Sequence, residues 1–88
     1  MHLEKVSLPL PAYATLLVVT QSSSHELTED GSVLRIPDGD PSRASVMCDV
    51  EMPAEIALGE QMSMIVGRRD GAALRRTSPV RALVLTLP

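Results

Sequence analysis

Apolar residues recur along this chain in short runs, and proline or glycine cuts most of them before twelve residues have passed. Period-two runs bounded by turn residues predict β-strands. In the first, Leu3 to Leu10, Val6, Leu8 and Leu10 share one side and Lys5 and Ser7 the other. Pro9 has no amide to donate, so this piece is expected as an edge strand or terminal arm, ended by Pro11. Ala14 to Thr20 is a continuous Leu/Val run, as in a strand covered on both faces.

Ser22 to Ser24 read as a polar loop. His25–Leu27 and Val33–Ile36 then flank Glu29-Asp30-Gly31, a hairpin turn in which glycine accepts positive φ. Pro37 to Ser42 is a loop. Arg43 to Met52 predicts a strand, with Val46, Cys48, Val50 and Met52 facing one way and Met47, Asp49 and Glu51 the other. Pro53 to Leu58 fits either one helical turn or an extended crossover. Glu60 to Gly67 predicts a strand with Met62, Met64 and Val66 in phase, followed by an Asp70-Gly71 hairpin signal. Ala72–Ser78 and Val80–Leu87 read as two further strands separated by Pro79.

These segments make one all-β domain over residues 1–88. The expected architecture is a small aliphatic β-sandwich, Ig-like or similar, of six to seven short strands, with a small closed β-barrel as second choice. Composition explains why the core must be aliphatic: Leu, Ile and Val number 24 of the 88 residues, and Tyr13 is the sole aromatic. A chain of this size buries roughly 60–65% of its unfolded surface, which leaves a thin stability margin. Cys48 is the only cysteine, so no intrachain disulfide can add to it, and its phase with Val46 and Val50 predicts a buried structural thiol. His2 and His25 lack ligand spacing, so no structural zinc is expected. Association with copies or partners is the remaining compensation. Met47, Met52, Met62 and Met64 are read as fillers of an aromatic-free core.

No run approaches the ~20 apolar residues of a membrane-spanning helix, and none resembles a signal-peptide core. The expected location is therefore the cytoplasm or a virion. Asn, Phe and Trp are absent, and one Lys stands against seven Arg, as GC-rich coding would produce. That bias points to a bacterium or its phage.

Catalytic chemistry finds little support. Ser24-His25-Glu26 are consecutive and read as loop, whereas a triad converges from separate positions. No nucleophile elbow is present. Asp38 and Asp40 could offer oxygens to calcium, but the ligand ladder of such a site is missing, and a solvated turn is expected. No cofactor or metal is expected, and the chain reads as non-enzymatic.

Charge is unevenly spread. Residues 1–60 hold three basic against ten acidic side chains, a balance of −7; residues 61–88 hold five against one, a balance of +4. The basic group is Arg68, Arg69, Arg75, Arg76 and Arg81. On the acidic side, Glu29, Asp30, Asp38 and Asp40 are the candidate contacts, with Tyr13 as the one aromatic anchor.

Three functions compete for this pattern. The first is protein–protein contact in an assembly, with acidic and basic faces mating between copies or with a larger structure, plausibly as a phage capsid-decorating or head–tail protein. The second is a small inhibitor of the anti-defence type, presenting the acidic loop from Glu26 to Asp40. The third is a nucleic-acid adaptor using the arginine hairpin; a net charge of −3 and the lack of stacking rings count against it.

Overall fold

The computed structural model describes residues 1–67 and 71–88. It is nearly all-β, and no α-helix forms among the described residues. The strands are β1 (His2–Leu3), β2 (Lys5–Ser7), β3 (Thr15–Thr20), β4 (Ser23–Thr28), β5 (Val33–Pro37), β6 (Ser45–Met47), β7 (Glu55–Ala57), β8 (Gln61–Val66) and β9 (Ala73–Thr86). The main sheet runs β1-β9-β3-β4-β5-β6, and β8 joins it by pairing with β9; β2 and β7 form a second, two-stranded sheet. Neither sheet closes, so the barrel alternative is set aside in favour of an open sandwich. The whole measures 35 × 27 × 24 Å. No helix among the described residues is long and apolar enough to cross a membrane.

Every strand pairing is antiparallel. In β3 the inner face carries Leu16, Val18 and Thr20, and in β4 it carries Ser23, His25 and Leu27, all buried. Leu83 and Val33 extend this layer on either side. Opposite them Val6 and Ile56 come from the small sheet and Met62 and Met64 from β8, which completes an aromatic-free core. Met47 and Met52 lie partly buried against it.

Several expected boundaries shift for identifiable reasons. The Leu3–Leu10 segment divides at Glu4, because β1 pairs with β9 and β2 with β7. Ser23 and Ser24 belong to β4 rather than to a loop. The Thr20 hydroxyl donates to the Ser23 carbonyl at 3.0 Å and closes a tight β3–β4 turn. Pro53–Leu58 takes the extended alternative and supplies β7.

The largest departures concern Pro79 and Asp49. Pro79 does not divide two strands: β9 is continuous for 14 residues. A straight strand of that length would span about 43 Å, beyond the molecule's 35 Å longest dimension. It bends instead where both its ladders slip register, opposite Val19/Thr20 and opposite Gln61/Ser63. Proline is tolerated at such a bulge because the ladder there needs no donor from it. The Thr77 hydroxyl takes up the Met62 amide at 3.1 Å, so the slip leaves that donor satisfied. One half of β9 thus pairs with β8 and the other with β3, as in sandwich corners where a strand changes sheets.

Along Arg43–Met52 the predicted alternation fails. Pro41–Arg43 form a 3₁₀ turn, β6 is only three residues, and Asp49 has a φ of 53°. That left-handed residue breaks the period of two, so Met47 and Val50 both turn inward while Val46 and Cys48 are exposed. The expected buried thiol is therefore a surface thiol.

Candidate functional site

A sheet with one face toward water usually alternates apolar-in and polar-out. The main sheet does not. Its registers align one outward row across six strands, His2–Val84–Leu17–Glu26–Leu34–Val46. The neighbouring row is Ala82–Val19–Ser24–Ile36. Seven of these ten residues are apolar, and none belongs to the core or packs against it. Val46 is 64% exposed, and the other six are half-buried by their lateral neighbours in the sheet. From β9 to β6 the patch crosses four strand spacings, about 19 Å.

The residues singled out by charge are dispersed. Glu29 and Asp30 sit in the β4–β5 turn, and Asp38 and Asp40 follow β5 at the opposite end of the sandwich. The stretch from Glu26 to Asp40 is a strand hairpin, not one acidic loop, and Glu26 projects between Leu17 and Leu34 on the outer sheet face. Each turn acid has a local structural task. Glu29 accepts the Tyr13 amide at 2.9 Å; Asp30 accepts the Ser32 amide at 2.9 Å and the Thr28 hydroxyl. Those bonds, the Thr28 hydroxyl first, lower the Asp30 pKa. Asp40 caps the 3₁₀ turn through the Ser42 amide and hydroxyl, and Asp38 lies 3.4 Å from Arg43 in an exposed ion pair. Tyr13 is 81% exposed, at a φ of 62°. It meets Glu29 only through its backbone.

Arg68, Arg69 and Asp70, with the hairpin tip they were expected to form, lie outside the described residues. Arg75 and Arg76 are exposed on the first half of β9, and Arg81 is exposed at the bulge, where Thr20 pairs Val80 and Val19 pairs Ala82.

Ser24-His25-Glu26 form a strand rather than a loop, and their side chains alternate across β4. His25 points inward, 2% exposed, directly opposite Arg35 of β5. Its Nδ1 is buried with no hydrogen-bond partner among the described residues. Burial, and secondarily the Arg35 charge, lowers its pKa from 6.5 to about 4, so the imidazole is neutral at pH 7. His25 lines a pocket of about 250 Å³ between β4–β6 and the β8–β9 arm, together with Arg35, Arg75 and Arg76. A separate apolar cleft of about 290 Å³ is walled by Leu8, Leu10, Leu27, Val50, Met52 and Pro53.

No protein family, curated protein or solved structure matches the chain. The apolar outer face and the His25 pocket were both missed as sites in the sequence. The first left a signal in adjacent apolar pairs, Leu16-Leu17, Val18-Val19 and Val33-Leu34, which put apolar side chains on both faces of one sheet. Of the pocket only Arg75 and Arg76 were legible, as part of the basic group; Arg35 and His25 reach it from strands far away in the chain.

Proposed function

We infer that this domain is a non-enzymatic protein–protein contact module, which associates with copies of itself through the outer face of the main sheet. The observation that carries this is the pair of apolar clusters on the outer sheet face, Val84, Ala82, Leu17 and Val19 on β9–β3 and Leu34, Ile36 and Val46 on β5–β6, flanking the polar Glu26 and Ser24 of β4 and outside the core. An apolar patch of roughly 300–600 Å², the size of the largest on a typical monomer, is often functional. Two sheets packed face to face would hide the patch as in an ordinary sandwich, about 10 Å apart. Hiding about 600 Å² in total is worth about 15 kcal/mol gross. The loss of translational and rotational freedom takes back about 4–15 kcal/mol. The net of about 0–11 kcal/mol makes a pair no tighter than about 10 nM, and several such contacts per copy add avidity in a lattice.

The turn acids shape backbone, so the apolar rows rather than mated charged faces supply the contact energy in this account. Glu26 and His2 stand in the outer row and restrict the registers two copies can adopt. A phage capsid-decorating or head–tail role is the specific form that the composition favours, and neighbouring capsid or tail genes would support it. Sedimentation velocity from micromolar to millimolar protein tests the association itself. A concentration-dependent rise in sedimentation coefficient, abolished by Leu34→Glu, is expected. A monomer at every concentration, or a rise that Leu34→Glu leaves intact, would refute it.

A further inference from the structure

We propose that the pocket between β4–β6 and the β8–β9 arm binds a small dianionic tetrahedral oxyanion, a phosphate or phosphate monoester. Arginines line this pocket from two parts of the chain: Arg35 from β5, opposite the inward His25, and Arg75 from β9, opposite the inward Met64, with the adjacent Arg76 also lining it. Among the described residues no carboxylate lines it, and none lies within ion-pair distance of these arginines. Arginines gathered with no carboxylate partner among the described residues repel one another, and a bound anion removes that repulsion.

The polar lining matches such a ligand. The Ser22 and Ser78 hydroxyls meet at 3.5 Å on the pocket wall, leaving both able to turn toward an acceptor. His25, 98% buried, also lines the pocket, and its Nδ1 has no hydrogen-bond partner among the described residues. Arginine forks supply paired donors to phosphate oxygens.

Size and surroundings narrow the class. About 250 Å³ is the room of roughly eight waters, which exceeds one phosphate ion and falls below the roughly 300–1,000 Å³ of sites for drug-sized ligands. A phosphate carrying a short substituent fits. Met47 and Met64 form an adaptable apolar wall for that substituent. A nucleic-acid strand would instead need a continuous basic track with stacking rings, and the pocket has no ring apart from the His25 imidazole. The pocket lies on the inner side of the main sheet, so this assignment is independent of the outer-face association.

The test is titration of the full chain, at pH 7 and constant ionic strength in chloride, with inorganic phosphate and separately with O-phosphoserine. Backbone amide, arginine Nε–H and histidine imidazole NMR signals are followed. Saturable shifts at His25, Arg35, Arg75 and Arg76 are expected with at least one probe. Arg75→Ala with Arg76→Ala, at exposed positions that leave the core untouched, should weaken binding at least tenfold, and Arg81→Ala should leave it unchanged. Saturation by phosphate alone assigns the free ion, and stronger binding of phosphoserine assigns a monoester; either supports the site. Linear shifts spread over every arginine, equal weakening by Arg81→Ala, or tighter binding of a short single-stranded oligonucleotide than of either probe would overturn it.

Discussion

His25→Leu should flatten the acid limb of the stability profile. In the folded chain the His25 pKa lies at about 4, against 6.5 for an unperturbed histidine, because burial and then Arg35 disfavour the charged ring. The unfolded chain therefore binds a proton on His25 at a higher pH than the folded chain does. Stability is fully present above pH 6.5, declines as pH falls through the interval to about 4, and has lost the whole contribution below it. At 1.36 kcal/mol per pKa unit the loss is about 3 kcal/mol. That is a large share of the total for a small domain. Urea unfolding of wild type and His25→Leu from pH 7.5 to 3.5, in buffers free of phosphate, isolates the effect, because carboxylates shared by both proteins cancel in the difference. The wild type should lose about 3 kcal/mol more than the variant, and each kcal/mol moves Tm by about 4–8 °C at this size. Leucine also removes the orphaned Nδ1, so the variant should match or exceed wild type at pH 7.5 only if its shape is accommodated; the pH difference does not depend on that. Parallel acid limbs would refute the reasoning and place the His25 ring in water.

Other expectations follow from single residues. Leu16 is fully buried on the inner face of β3, and Leu16→Ala should cost about 2–5 kcal/mol in denaturant unfolding with an unchanged m-value. Gly31→Ala should cost about 1–2 kcal/mol, since φ is 86° while the added Cβ meets nothing nearer than the Val50 carbonyl at 3.7 Å; an unchanged midpoint would mean a different turn. Cys48 should react stoichiometrically with a thiol reagent in the native protein, and a requirement for denaturant would restore the buried thiol.

The β class, the Glu29-Gly31 hairpin and the inward Met62/Met64 phase were legible because each rests on contacts near in sequence or on a period of two. Pro79 misled because its missing donor is a local fact, whereas the bulge that accommodates it is made by β3 and β8 on either side. Asp49 misled for the opposite reason: one left-handed residue without glycine inverted the facing of Val46, Met47 and Cys48. The candidate contacts were chosen by charge, and the acids among them are occupied with turns, as Asp30 and Asp40 show. The outer apolar face needed the registers. Leu17, Leu34, Val46 and Val84 are scattered along the chain and become one row only when β9, β3, β4, β5 and β6 are aligned.

The most direct measurement of the assembly claim is a concentration series of methyl and amide NMR spectra from tens of micromolar to about a millimolar. Selective shifts or broadening at Leu17, Val19, Leu34, Ile36, Val46 and Val84 are predicted, with the inward neighbours Leu16 and Val18 unaffected. Spectra independent of concentration, or changes confined to the β2–β7 side, would contradict the account.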